Sequence, residues 1–503
     1  MRTHPRPAAL LLSISLITGC AVGPDFRSPE IDVSSHFLGQ EAVAHRGVQT
    51  KADLTAWWGD FDDPLLTRFI SLALEQNLDI AQAAARVAQA RASLRLADAA
   101  LLASANVSAT ATRTYQSVET PLGQLVSATR DFDRNGSYHE ANLNAGWEID
   151  VFGGLRRGRE AARAEYEASE AGAIATRLAV AAQTADVYVT IRGLQARVAI
   201  ARQQAQTRRE LLSTVKLQFE KGIAAELQMR QVEGSLAQVE AQIPVLEAGL
   251  DAAMNALDVL LAAQPGTYRA ELSAEASIPV APGLAETGTP AEMIRRRPDL
   301  IVAERRLAAA SARIGVAIAE YYPKFSLGAL LGSATALGGG HLFTADATQA
   351  LGVLGLRWRL FDFGRIDAQV AAARGQDAEA LAAYRLAVLR ATEDVENAFS
   401  ALVKREAQAG ILTRGESSFA RARENSAAAY KGGVVSLIEV LDADSNLLQV
   451  RDAKAQAQTE AARAAVASFR ALGGGWDAAN AHSDRLYSDL SSTDRRKPND
   501  YHD

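Results

Sequence analysis

The spacing of apolar and polar residues changes several times along this chain, and each change marks an element. From about 155 to 219 the spacing is helical, with Ile174, Leu178, Ala181, Ala185 and Tyr188 at steps of four and three. No proline lies between Pro121 and Pro244, so one helix of roughly 95–100 Å is expected. An uncapped pattern this long points to coiled-coil packing and not to a globular helix. Gly222 turns the chain, and a return helix is expected over about 225–262, kinked or interrupted at Pro244.

From Ala103 the period becomes two. Ala103, Ala105, Val107, Ala109 and Ala111 alternate with Ser104, Asn106, Ser108, Thr110 and Thr112. After a polar loop at about 117–137, His139, Ala141, Leu143, Ala145, Trp147 and Ile149 alternate with Glu140, Asn142, Asn144, Gly146 and Glu148. Both strands reach the length of about ten residues that crosses a bilayer at a tilt. Alternation alone also suits a hairpin lying on a helix.

The strand ending in W-E-I-D-V-F-G and the long helix return 211 positions later as R-W-R-L-F-D-F-G and a second long helix. Trp147 pairs with Trp358, Phe152 with Phe363, Gly153 with Gly364, Tyr188 with Phe399 and Gly222 with Gly433. So constant an offset marks an internal duplication. Upstream, Asp79, Arg86 and Val87 correspond to Asp299, Arg306 and Leu307. The first repeat is placed at 63–262, with a helix from Asp63-Pro64 to about Ala100, a hairpin at 103–150 and a helical hairpin at 155–262. A proline- and glycine-bearing linker occupies 263–288. The second repeat spans 289–476: a helix over 293–320, strands at about 325–336 and 351–361, a long helix over 366–430 and a return helix over 436–472. Trp358 and Leu360 are expected to face lipid, and Arg357 and Arg359 the lumen. The polar tail 477–503 is expected to be disordered.

The N-terminus changes the picture. Arg2 and Arg6 precede a short apolar run at 8–18, closed by Ile17-Thr18-Gly19-Cys20. The run is too short to span a bilayer and reads as an export signal over 1–19. Ile-Thr-Gly-Cys resembles a bacterial lipoprotein box, which implies acylation at Cys20; Ala21 after it implies outer-membrane sorting. An ordinary signal with an incidental cysteine is the other reading. Residues 20–62 read as an extended segment. No later apolar run is long enough for a membrane helix, so strands must do any crossing.

Composition excludes more than it proposes. The net charge is -6 with no block of like charge, so no nucleic-acid partner is expected. Apolar residues make up 48% but aromatic residues only 6%, which suits closely packed alanine-rich helices. The one cysteine and seven scattered histidines offer no metal cluster. Gly338-Gly339-Gly340 leads into no helix of the kind a phosphate loop needs. No enzyme and no cofactor are expected.

Four membrane strands cannot close a barrel, and open sheet edges are not tolerated in lipid. Several chains must therefore share one barrel: two would supply eight strands, three twelve, four sixteen.

The chain resembles the TolC-like outer-membrane factor family, in its NodT/OprM-type lipoprotein branch. The resemblance covers nearly the whole mature chain. It rests on G-C-A-V-G-P-D-F (19–26), W-W-G-D-F-D-D-P-L-L (57–66), R-R-P-D-L (296–300), A-E-R-R-L-A-A-A (303–310), F-D-F-G-R (361–365), Y-K-G-G-V (430–434), L-D-A (441–443) and A-L-G-G-G-W (471–476). It implies a mainly α fold with membrane β: a homotrimer sharing a 12-stranded β-barrel above a long α-helical coiled-coil periplasmic tunnel. It also implies an outer-membrane exit duct for small molecules, docked to a periplasmic adaptor and an inner-membrane resistance-nodulation-division pump. By resemblance Asp442 forms a carboxylate ring at the closed end, with Ile438 an apolar constriction one turn away. The family's arginine falls on Ser445, so a gate salt bridge made by it is absent or moved. For Asp442 a solvated acid near a helix end is the plainer reading. Gly222, Gly433 and Val434 are implied as adaptor-docking tips, although turn chemistry alone explains both glycines. The competing functions are the duct of a protein-secretion system and a non-conducting lipoprotein scaffold.

Overall fold

The computed structural model describes residues 21–46, 54–129, 133–274, 276–284 and 289–476. The expected leader 1–19, the acylated Cys20 and the tail 477–503 lie outside the described residues.

The first half holds helices α1 (Pro64–Gln76) and α2 (Leu78–Ala99), strand β1 (Ser104–Tyr115), helix α3 (Pro121–Ser127) and strand β2 (Asn135–Ile149). Helices α4 (Gly154–Glu220), α5 (Glu226–Glu240) and α6 (Gln242–Leu260) complete it. The second half runs α7 (Pro290–Arg296), α8 (Pro298–Ala319), β3 (Lys324–Thr335), β4 (Thr348–Arg357), α9 (Arg365–Lys431) and α10 (Leu437–Ala471). Helices α4 and α9 each have 67 residues and begin and end 211 positions apart. The chain is mainly helical and duplicated, with a four-stranded antiparallel sheet.

Contacts divide the chain into two compact units that cut across the two repeats. One gathers the described residues up to 29 with 88–168 and 304–383, and holds all four strands. The other gathers 30–87, 169–303 and the described residues from 384 on, and holds the far ends of the helical hairpins.

The strands lie in the order β1-β2-β3-β4, so β2 and β3 join the two hairpins while β1 and β4 are the sheet edges. The register sorts side chains into two faces, because successive residues of a strand point opposite ways. Val107, Leu143, Leu331 and Ala350 form one cross-strand row, and Trp147, Leu327 and Leu354 another. This face is apolar and exposed, with Val107 77% and Leu354 73% accessible. The opposite face carries the row Ser108, Asn142, Gly332 and Gln349. There Gln349 Nε2 donates to Asn142 Oδ1 at 2.8 Å, and Asn144 Nδ2 donates to Ser108 Oγ at 3.0 Å. A Cβ on Gly332 would stand 2.1 Å from Asn142 Oδ1, so this ladder requires glycine there.

Several boundaries differ from the sequence reading. The helix expected from Asp63 to about Ala100 is two, broken at Asn77, and that expected over 293–320 is broken at Arg297. These positions are 220 apart, the offset already seen between Asp79 and Asp299. Asn77 Nδ2 donates to the Leu260 carbonyl at 2.8 Å, and Arg297 Nη1 donates to the Ala471 carbonyl at 3.0 Å. Leu260 and Ala471 end the return helices α6 and α10, where carbonyls lack helical partners. The break residue of each half therefore satisfies the end of that half's own return helix.

The return helix of the first half breaks at Ala241, three residues before Pro244, so the proline sits in the first turn of α6, where its missing N–H costs little. Strand β4 ends at Arg357 instead of near Phe361, because its partner β3 begins only at Lys324, after Pro323. Trp358 and Leu360 thus lie beyond the sheet and not in its lipid-facing row, and Arg359 pairs with Glu320 at 3.2 Å. The polar loop at 117–137 contains α3, and the linker contains a short helix, Arg269–Leu272. The segment expected to be extended contains helical turns at Gln40–Ala44 and Trp57–Phe61.

Candidate functional site

At the far ends of the helical hairpins both long helices terminate in the same way. Ile223 N donates to Gln218 O at 2.8 Å and Gly222 N to Phe219 O at 2.9 Å; Val434 N donates to Ala429 O at 2.9 Å and Gly433 N to Tyr430 O at 2.9 Å. These are paired Schellman closures, which need a left-handed residue at the turn. Gly222 and Gly433 supply it with φ of +71° and +70°, and a Cβ at either would meet nothing within 4 Å. Conformation, not crowding, demands these glycines. Around them Ile223, Leu227 and Val434 are exposed.

Beyond the second turn, α10 presents two faces. Leu437, Val440, Asp444, Leu447 and Leu448 are buried. Ile438, Asp442 and Ser445, at i, i+4 and i+7, lie together on one stripe of the helix. Ile438 is 50% accessible, Asp442 is exposed and Ser445 is half-buried. A neighbouring copy or an aqueous passage can reach this stripe.

Ion pairs hold α10 antiparallel to α4 and α9. Asp186 pairs with Arg463 at 2.7 Å and Arg197 with Asp452 at 2.7 Å, joining α4 to α10. Glu416 receives hydrogen bonds from Lys454 at 2.8 Å and Arg451 at 3.0 Å, joining α9 to α10. These donors hold the Glu416 carboxyl below its usual range against the opposing effect of burial. Near the tip, Arg423 on α9 pairs with Asp444 on α10 at 3.0 Å. Ser445 holds no arginine, and the ion pair of this segment falls one residue earlier, on the buried face.

Two further basic residues escaped the sequence reading. Arg157, almost fully buried, holds the residues that follow Cys20: it donates to Val22 O at 3.1 Å, Gly23 O at 3.3 Å and Asp25 Oδ1 at 2.7 Å. Gly23 and Gly315 pack so closely that a Cβ on Gly23 would lie 2.5 Å from Gly315 Cα. Arg297 grips both carboxylate oxygens of Asp299, at 3.0 and 2.7 Å, and Asp394 Oδ2 at 3.1 Å. Burial works to lower its pKa, but these carboxylates outweigh it and raise the value.

In the first half, Tyr188 Oη donates to Asp63 Oδ2 at 2.8 Å and accepts from Arg192 Nε at 3.1 Å. Burial pushes its phenol up to about 12, with Arg192 opposing the rise and Asp63 adding to it. The counterpart Phe399 has no hydroxyl and packs edge-on against Phe37, ring centroids 5.9 Å apart. Among the described residues, no three His, Cys, Asp or Glu side chains stand close enough to hold a metal ion. No described helix is long and apolar enough to cross a membrane.

A family model described as "Outer membrane efflux protein" matches residues 69–263 and 289–474, one match for each repeat. The chain belongs to that family. The pyoverdine export outer membrane protein OpmQ of Pseudomonas putida is 32% identical over 483 residues, covering 95% of this chain and 99% of the relative. Nodulation protein T of Rhizobium leguminosarum bv. trifolii is 29% identical over 464 residues, covering 92% and 96%. The solved structure of the outer-membrane channel OprN superposes with a TM-score of 0.83 at 32% identity, covering 91% of this chain and all of that one. This family member is an outer-membrane efflux protein, and its two family matches coincide with the duplication read from its sequence.

Proposed function

We propose that this protein is the exit duct of a tripartite efflux pump. Three copies share one barrel of twelve strands, and their helical hairpins continue it as a periplasmic tunnel. The observation that carries this reading is the open sheet: β1 and β4 each offer an edge, and one face is apolar and exposed. In lipid every backbone N–H and C=O must be paired, so β4 of one copy must meet β1 of the next until the ring closes. The polar face, with its Ser-Asn-Gln row, then lines the water-filled interior.

Solutes pass down their gradient, and selectivity comes from the inner-membrane pump of the resistance-nodulation-division type. A periplasmic adaptor docks on the turns at Gly222, Gly433 and Val434, with exposed Ile223 and Leu227 beside them. The stripe Ile438, Asp442 and Ser445 faces the axis, where three Asp442 carboxylates repel one another and favour cations. Cys20 carries the lipid, and Arg157 fixes the chain that follows it. The test is single-channel conductance of the purified acylated protein, with its oligomer mass measured alongside. Rare openings from a trimer are expected; a non-conducting monomer overturns the proposal.

A further inference from the structure

The core of the helical hairpins is layered. One apolar cluster contains Ala205, Leu236, Val239 and Leu448, and a second, nearer the tip, contains Val215, Val232 and Leu437 with Leu441 packed against it. Between them lies a charged layer drawn from three helices. Gln204 and Arg208 come from α4, Arg423 from α9 and Asp444 from α10. Asp444 is 2% accessible and Arg208 4%.

The layer holds two guanidinium groups and one carboxylate, and they are not treated alike. Arg423 Nε donates to Asp444 Oδ1 at 3.0 Å, and Gln204 Nε2 donates to the Asp444 carbonyl at 3.4 Å. Arg208 Nε, although buried, has no hydrogen-bond partner. Burial lowers the Arg208 pKa, and Asp444 is the charge that opposes the fall. A buried cation short of bonds stores a free-energy cost that a better-placed anion relieves. The partnered arginine is the accessible one, with 38% of its side chain exposed.

We infer that Asp444 is a counter-ion shared by both helical hairpins, paired with Arg423 at rest and passed to Arg208 when α9 moves away from α10. Arg208 is a positioning residue: it keeps α10 attached to the first hairpin while the second one shifts. The device lies on the face of α10 opposite to the Ile438, Asp442 and Ser445 stripe, so the stripe moves with whichever hairpin holds Asp444. Its link to opening rests on the duct reading; the exchange of partners does not.

The experiment uses the full-length acylated protein with spin labels on cysteines introduced at Asn425 and Asn446, both exposed. Distances between the labels and opening frequency in planar bilayers are measured for Arg423→Met, Arg208→Met, the double variant and Arg208→Lys. Arg423→Met is expected to lengthen the distance and raise opening severalfold. Arg208→Met alone, whose apolar side chain lies between apolar layers, is expected to leave the distance unchanged and open less often. The double variant is expected to lose the hold on α10 and spread the distances well beyond Arg423→Met alone, with Arg208→Lys behaving as the parent. If the double variant matches Arg423→Met, Arg208 is no partner of Asp444 and the inference falls. If no variant conducts but the distances follow this order, the exchange stands and the duct reading falls.

Discussion

The indole nitrogen of Trp147 donates to the carbonyl oxygen of Leu101 at 3.0 Å, and Trp358 repeats the bond to Tyr321 at 2.9 Å. The tryptophans are 211 positions apart and the carbonyls 220, so the bond was duplicated with the chain. Each bond closes the base of its hairpin, where a helix ends and a strand begins. Both rings are partly exposed, with an apolar body and a polar edge, as at membrane interfaces. Replacing either tryptophan with phenylalanine removes the donor and keeps most of the ring. Chemical unfolding in detergent is expected to show a loss of about 1 kcal/mol for each; no loss would mean that water serves the carbonyl equally well.

Arg157→Met leaves the Val22 and Gly23 carbonyls without their donor. Hydrogen exchange over residues 21–25 is expected to quicken, while exchange within β2 and β3 stays unchanged. Gly315→Val tests the same clamp by crowding, since its Cβ would lie 2.8 Å from Arg157 Cγ and 2.9 Å from Val22 O. Protection of 21–25 that survives both variants would show that the strap is held elsewhere.

Gly222→Ala and Gly433→Ala force alanine into a left-handed turn, at about 1 kcal/mol each. With open space around each Cβ, the strain falls on the backbone and reshapes the tips. Adaptor binding is therefore expected to fall further than thermal stability does. Equal binding by parent and variants would move the docking surface away from the turns.

Glu416 makes a pH-dependent contribution. Its folded pKa lies below the model value of 4.5, chiefly through the hydrogen bond from Lys454. A depressed carboxyl pKa stabilises the fold above the unfolded value, and the gain is lost as pH falls through the folded value. The parent is expected to unfold at a higher temperature than Glu416→Gln at pH 7, with the gap closing below about pH 4. A gap that persists in acid would assign the effect to packing.

Asp442→Ala is expected to raise the conductance of the isolated channel by removing carboxylate repulsion and narrowing at the axis. Unchanged conductance would take Asp442 out of the gate.

The long helices were legible in the sequence because nothing interrupts them and a glycine ends each one. Their breaks were harder to see. Pro298, directly after Arg297, carried a signal for the second, but Asn77 sits in an unbroken helical pattern and acts by capping Asp79 and Ile80. Thr120-Pro121 has the form of a helix start, and could have revealed α3 inside its loop. The end of β4 depended on where β3 begins, which is a matter of pairing and not of pattern. The charged layer was invisible for the same reason: Arg208, Arg423 and Asp444 meet only once three helices are set in register. A sequence shows which residues are charged, but not which of them share a layer.

The two open edges of the sheet have a genetic consequence. A chain that cannot close its own sheet has no stable life alone in lipid, so its abundance in the membrane must rise more steeply than its synthesis. A copy with a spoiled edge, such as proline at Val353 in β4, still offers a sound β1 to its neighbours and enters their rings without completing them. Co-expressed with the parent chain, it should poison mixed assemblies and behave as a dominant negative.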